Sequence, residues 1–231
     1  MASLPVTQSI RHFHSGGRPI ALDCFLPHAP EKRHPAVIAL HGSGGGHYSI
    51  AEPAGMLAAQ GFAVYVLHYF DRTGTTDAHD RAVIFRHFPA WAKTLWDAVS
   101  HVSSEPGVDP SRIGLLGFSL GAYLSLSVAA VDSRVRAVVD FFGGLPKEIK
   151  FFMKRLPPCL ILHGDADLTV PVAEAFHLQE VLQARGVPYE IKIYPGVGHG
   201  FSGDIWRDAG LRTLHFLQKY LAAEPAPSGN F

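Results

Sequence analysis

Short runs of almost unbroken apolar residues alternate along the chain with longer stretches in which apolar positions recur every three or four residues. "AVIALHG" (36–42), "FAVYVLHYF" (62–70), "RIGLLGF" (112–118), "VRAVVDFFG" (135–143) and "PCLILHG" (158–164) are of the first kind, and "YEIKIYP" (189–195), though interrupted by Glu190 and Lys192, also reads as a strand. Such runs suit strands of a parallel sheet that is covered on both faces. Between them, 51–61, about 88–103, 120–131, 172–186 and about 208–221 carry the helical period. Trp91, Leu95, Trp96, Val99 and Val102 show it most clearly. The opening is different: "TQSIRHFHS", a Gly16-Gly17 turn and "PIALDCFLP" read as an antiparallel hairpin at one sheet edge. The pattern predicts an α/β fold with a mostly parallel central sheet of about eight strands and helices on both faces. One domain is expected over 1–221, and a disordered tail over 222–231, "AAEPAPSGNF".

The chemistry gathers where strands stop. Gly117, Ser119 and Gly121 form G-x-S-x-G between a strand and a helix with no loop residues to spare. That junction forces a sharp turn, exposes the serine hydroxyl at the sheet edge and needs glycines where strand and helix nearly touch. A serine hydroxyl is a weak nucleophile at neutral pH unless a base takes its proton and a carboxylate orients the base. The strand end "LHGDADLTVP" offers Asp165 and Asp167, and "YPGVGHGF" offers His199. The order Ser, Asp, His, each at a strand's C-terminal end, selects Ser119, Asp167 and His199 as the candidate triad.

"HGSGGG" (41–46) follows the first central strand. It lacks the Lys-Ser/Thr of a phosphate-binding loop and the G-x-G-x-x-G spacing of a dinucleotide site. It suits a loop of backbone donors for a tetrahedral oxyanion, with the N–H groups of Ser43 and Leu120 as the expected pair. His41, directly before the glycines, is expected to brace that loop.

With these residues in place the chain resembles an α/β-hydrolase, and within that superfamily the dienelactone hydrolase family. The resemblance runs from about Ile20 to Leu221. It rests on "GFSLGAY", on "GDADLTVP" with Asp167 in an Asp-x-x-Val-Pro setting, on "GVGHGF" and on "HYFDRTG" (68–74). It implies hydrolysis of an ester or lactone with no cofactor and no metal. Two departures stand out. The family's namesake enzymes carry cysteine where Ser119 stands and a glutamate where Gly42 stands. They also hold the substrate carboxylate with two arginines, of which only Arg72 has a counterpart here, since Gly203 occupies the other position. A serine esterase acting on a small-molecule ester or lactone is therefore expected, with Arg72 as a candidate substrate contact. A thioesterase, an amidase or peptidase-like hydrolase, and a hydrolase-fold protein that binds without turnover are the alternatives.

Composition narrows the partners. Twenty basic residues balance 20 acidic ones, which leaves no broad positive field for nucleic acid or an anionic membrane. No apolar run approaches the roughly 18 residues of a membrane span, and the first residues lack a secretory pattern, so the cytoplasm is the expected location. Nothing in the pattern chooses between a monomer and a homodimer. Cys24 and Cys159 fall inside apolar strands and read as buried thiols. Of the 14 histidines, His12 and His14 share a strand face without a third ligand at a telling spacing, and no metal site is expected. The aromatic set Phe85, Phe88, Trp91 and Trp96 is expected mostly in the core. A lid, if present, would come from 71–90 or 145–156.

Overall fold

The computed structural model describes residues 3–29 and 32–222. Within them, one sheet is built from β1 (Val6–Ser15), β2 (Arg18–Pro27), β3 (His34–Leu40), β4 (Ala63–Leu67), β5 (Val108–Phe118), β6 (Val135–Phe141), β7 (Cys159–Gly164) and β8 (Tyr189–Tyr194). Across the sheet they run β1-β2-β4-β3-β5-β6-β7-β8. The pairs β1·β2 and β2·β4 are antiparallel and all the others parallel, so the hairpin sits at one edge as expected.

Both faces of the central strands are covered, which is why their sequences are apolar without alternation. Ala36, Ile38 and Leu40 of β3 face one core, whereas Val37 and Ala39 face the other. Helices α2 (Arg81–Ser103), α3 (Leu120–Ala129) and α4 (Ala173–Ala184) close the first core through Trp91, Leu95, Leu124 and Leu178. Helices α1 (Ala51–Ala59) and α5 (Gly203–Leu217) close the second through Ala54, Ala58, Phe216 and Leu217. Each fully buried leucine or isoleucine contributes roughly 1.5–3 kcal/mol relative to an exposed one. After β3 the chain moves outward to β4 and then returns to the other side of β3 as β5. That reversal makes the C-terminal ends of β3 and β5 a topological switch point, where open α/β sheets form their clefts.

Helix α2 begins seven residues before the expected start near Phe88. The Asp80 side chain accepts the Ala82 N–H at 2.8 Å and caps it, while half-buried Val83, Ile84 and Phe88 pack against the core. Pro89 sits inside the helix. The carbonyl it leaves without an amide partner is that of Phe85, a residue 87% exposed, where water can accept that role. The aromatic set divides accordingly: Trp91 is fully buried, but Phe85 and Trp96 are exposed. Helix α5 likewise starts at Gly203 rather than near Asp208, and a π-helical turn, Gln218–Ala222, follows it. Residues 223–231 of the expected tail lie outside the described residues. Cys24 and Cys159 are free, buried thiols. No described helix is long and apolar enough to cross a membrane.

Candidate active site

Strand β5 ends at Phe118 and α3 begins at Leu120, which leaves Ser119 alone to turn the chain. It does so at φ 52°, ψ −117°, a region that costs a non-glycine residue about 1–3 kcal/mol and persists only where surroundings enforce it. The enforcement comes from backbone bonds. The Ser119 N–H donates to Phe141 O at 2.9 Å, and the Ser119 carbonyl accepts from Ala122 and Tyr123 at 2.9 and 3.2 Å. The flanking glycines are steric necessities: a Cβ on Gly117 would lie 2.3 Å from Gly121 O, and one on Gly121 would lie 2.5 Å from Leu40 O and 2.6 Å from His41 O.

The turn presents the Ser119 hydroxyl to His199. Ser119 Oγ lies 3.1 Å from His199 Nε2, and His199 Nδ1 lies 2.7 Å from Asp167 Oδ2. Because the carboxylate can only accept, Nδ1 carries the proton, which leaves Nε2 as the acceptor for the serine hydroxyl. Asp167 is fixed on its other side, where Oδ1 accepts the N–H groups of Thr169 and Val170 at 2.8 and 2.9 Å. Asp165 points elsewhere. It accepts the Gly196 N–H at 2.6 Å and ties the loop after β7 to the loop after β8.

Two supporting residues escaped the sequence pattern. His163 is fully buried behind Asp167; its Nε2–H donates to Val170 O at 2.9 Å, and the same nitrogen lies 3.4 Å from Asp167 Oδ2. Burial pushes its pKa below the usual histidine value and keeps it neutral. The signal in the sequence was a histidine at an inward-facing position of an otherwise apolar strand. Phe142 joins Ser119 as the other non-glycine residue with positive φ among those described. Its ring meets the His199 imidazole edge-on, with centroids 4.9 Å apart. The segment that carries it is anchored by Asp140, whose carboxylate accepts the Gly143 N–H at 2.9 Å. Complete burial pushes the Asp140 carboxyl up to about 7.

The loop after β3 lies against the nucleophile, since a Cβ on Gly42 would stand 3.4 Å from Ser119 Cβ. The Ser43 N–H belongs to the peptide unit leaving Gly42. The Leu120 N–H opens α3, where no carbonyl of the helix is within its reach. Contacts from the side hold the loop. Tyr69 O–H donates to His41 O at 2.9 Å, the His41 and Tyr69 rings stack at 4.2 Å, His41 Nδ1–H donates to Gly42 O at 2.8 Å, and Ser43 O accepts the Ala78 N–H at 2.7 Å. His41 thus braces the loop, as expected, and burial pushes its pKa down to about 4.

Arg72 is engaged within the fold. It follows β4 in a 3-10 turn, but its guanidinium lies over Gly16 and donates to Gly16 O at 2.6 Å. It pins that turn to the β1–β2 hairpin, and no bond described for it reaches Ser119, Asp167 or His199. The segment 145–156 contains a 3-10 turn, Lys147–Phe151, and Ile149 and Met153 pack against the core.

The geometry has counterparts. Residues 22–211 match the model of the dienelactone hydrolase family. The chain belongs to that family. A Yersinia pestis protein provisionally named carboxymethylenebutenolidase is 27% identical over 188 residues, covering 74% of this chain and 70% of its own length. Among solved structures, one provisionally named as a dienelactone hydrolase, from Klebsiella pneumoniae subsp. pneumoniae, superposes with a TM-score of 0.80. It is 20% identical and covers 94% of this chain and 100% of its own. The thermophilic esterase Est2 of the planctomycete Thermogutta terrifontis superposes with a TM-score of 0.74 at 20% identity, covering 96% of this chain and 95% of its own. These structures share the α/β-hydrolase fold. Family membership makes the chain a hydrolase of the ester or lactone type.

Proposed function

We propose that this carboxylic ester hydrolase works through a serine acyl-enzyme on a small ester or lactone. The observation that carries the reading is the unbroken relay Asp167 Oδ2, His199 Nδ1, His199 Nε2, Ser119 Oγ at 2.7 and 3.1 Å, ending on a serine held in a left-handed turn. Ser119 Oγ attacks the carbonyl carbon while His199 Nε2 takes its proton. Asp167 keeps His199 in the required tautomer and stabilises the imidazolium. The N–H groups of Ser43 and Leu120 receive the oxyanion, each supplying about 3 kcal/mol of transition-state stabilisation. Collapse expels the alcohol, to which His199 returns the proton. Water, with His199 again as base, then attacks the acyl-serine and releases the acid.

The names of the relatives extend this to substrates: carboxymethylenebutenolidase points to a lactone, and Est2 to a simple ester. Serine at position 119 and the engagement of Arg72 with Gly16 favour the simple ester, because the family's cysteine and carboxylate clamp are both missing. A panel of aryl esters of increasing acyl length, with a lactone and a thioester included, tests the reading on the wild type and on Ser119→Ala. The expected outcome is hydrolysis of short acyl esters that falls by about 10^4-fold or more in the variant. A variant that retains the wild-type rate would remove Ser119 from the reaction.

A further inference from the structure

We propose that Asp23, His47 and His68 form a binding site for one divalent transition-metal ion of the zinc type, placed at the far end of the loop that supplies the oxyanion donor. The three come from separate parts of the chain, which is why no spacing in the sequence announces them. Asp23 lies on β2, paired with Val66 of β4, and so stands beside the end of β4, from which His68 leads away. His47 opens the 3-10 turn His47–Ile50 that follows the glycines of 42–46. One potential ligand atom of each residue lies within 4.8 Å of the other two. His68 Nε2 is 2.9 Å from Asp23 Oδ2, and the two imidazole rings are only 3.7 Å apart between centroids.

The donor set fits the ion. Two imidazoles and one carboxylate suit zinc, nickel, copper or ferrous iron, whereas calcium and magnesium prefer all-oxygen shells. Tetrahedral ligands at 2.0–2.2 Å from zinc stand roughly 3.4 Å from one another, so the widest pair of ligand atoms closes by up to about 1.4 Å and the two imidazole rings spread by about 1.5 Å when an ion enters. The side chains of Asp23 and His68 keep only 14% of their surface exposed. The site lies outside the Ser119–His199–Asp167 relay and needs no step of the proposed hydrolysis.

Its position gives it a consequence. Gly45 and Gly46 hold φ values of 70° and 72°, which glycine adopts freely. His47 follows them directly, so an ion shared with Asp23 and His68 ties this end of the loop to the sheet. Tyr69 and Ala78 already hold the other end. The ion therefore stiffens the loop and stabilises the folded chain.

The test titrates Zn2+ alone into the full chain at neutral pH by calorimetry, follows Tm, and records the visible spectrum with Co2+ in place of zinc. One ion per chain is expected, with Tm raised by about 5 °C at a hundredfold excess over Kd, and with cobalt absorption bands of a low-coordinate nitrogen and oxygen site. Asp23→Asn, His47→Gln and His68→Gln should each weaken binding at least about tenfold and remove the Tm shift. Asp23→Asn is close to isosteric and guards against reading a folding defect as lost binding. Failure of the folded wild type to bind Zn2+ would overturn the proposal. Binding that survives both histidine substitutions would also overturn it, by assigning the ion to other histidines such as His12 and His14 or His199.

Discussion

The candidate site has two halves that meet at Ser119, and they are held in different ways. On the side of β5 to β8, the elements that carry the reacting groups also fix them: Asp167 takes two N–H groups from its own loop, and Asp165 joins the loops after β7 and β8. On the side of β3 and β4, the loop 42–46 gets its hold from elsewhere, namely Tyr69, Ala78 and the stacked His41. In the first half the bonds run among the loops that carry the site residues themselves, whereas in the second the loop is held by Tyr69 and Ala78, which lie outside it. Damage to the first should act on chemistry, and damage to the second on the placement of the proposed oxyanion donor and on stability.

The largest effect belongs to the acid. Asp167→Asn should reduce kcat/KM by about 10^4-fold, because the amide favours the wrong histidine tautomer, whereas Asp165→Asn should act mainly on stability. Steady-state kinetics on both variants checks this, and the reverse order of effects would exchange their roles. At the seam, Gly121→Ala drives a Cβ into Leu40 O and His41 O, which are backbone atoms on the other half. A loss of about 3 kcal/mol in urea unfolding is expected, together with reduced activity from the displaced loop 42–46.

The smallest effect is a pH dependence of opposite sign at Asp140 and His41. Burial raises Asp140 to about 7, so between about pH 4 and 7 the folded state binds more protons than the unfolded state. Its contribution to stability is then lost as pH rises. Burial lowers His41 to about 4, so between that value and its ordinary 6.5 the unfolded state binds more protons. Its contribution grows with pH over that window. The two oppose each other in the wild type. Relative to wild type, denaturant midpoints across pH 4 to 7 should rise more steeply with pH in Asp140→Asn and less steeply in His41→Gln, each slope changing by at most about 1.4 kcal/mol per pH unit. Identical profiles in wild type and both variants would contradict these burial effects.

What the sequence made legible follows the same division. Ser119 and its glycines were readable because a turn with no spare residue leaves little steric choice. His199 and Asp167 were readable as residues at strand ends, Asp167 being chosen over Asp165 in its Asp-x-x-Val-Pro setting, and the structure places Asp167 on the imidazole and Asp165 on Gly196. The sheet and its edge hairpin followed from unbroken apolar runs. The contact of Arg72 with Gly16 was not legible, because the two stand 56 residues apart in the chain. The early start of α2 was missed because Pro89 resembles a helix breaker and the Asp80 cap precedes it. His163 and the cluster of Asp23, His47 and His68 depend on strand register and loop placement, to which local pattern is blind.

The central claim is that Ser119 is the nucleophile, and a fluorophosphonate probe tests it most directly. The folded wild type, treated with the probe and then mapped by peptide mass spectrometry, should gain one adduct on the peptide containing Ser119, and Ser119→Ala should gain none. An unlabelled folded wild type, or an adduct that persists in Ser119→Ala, would contradict that claim.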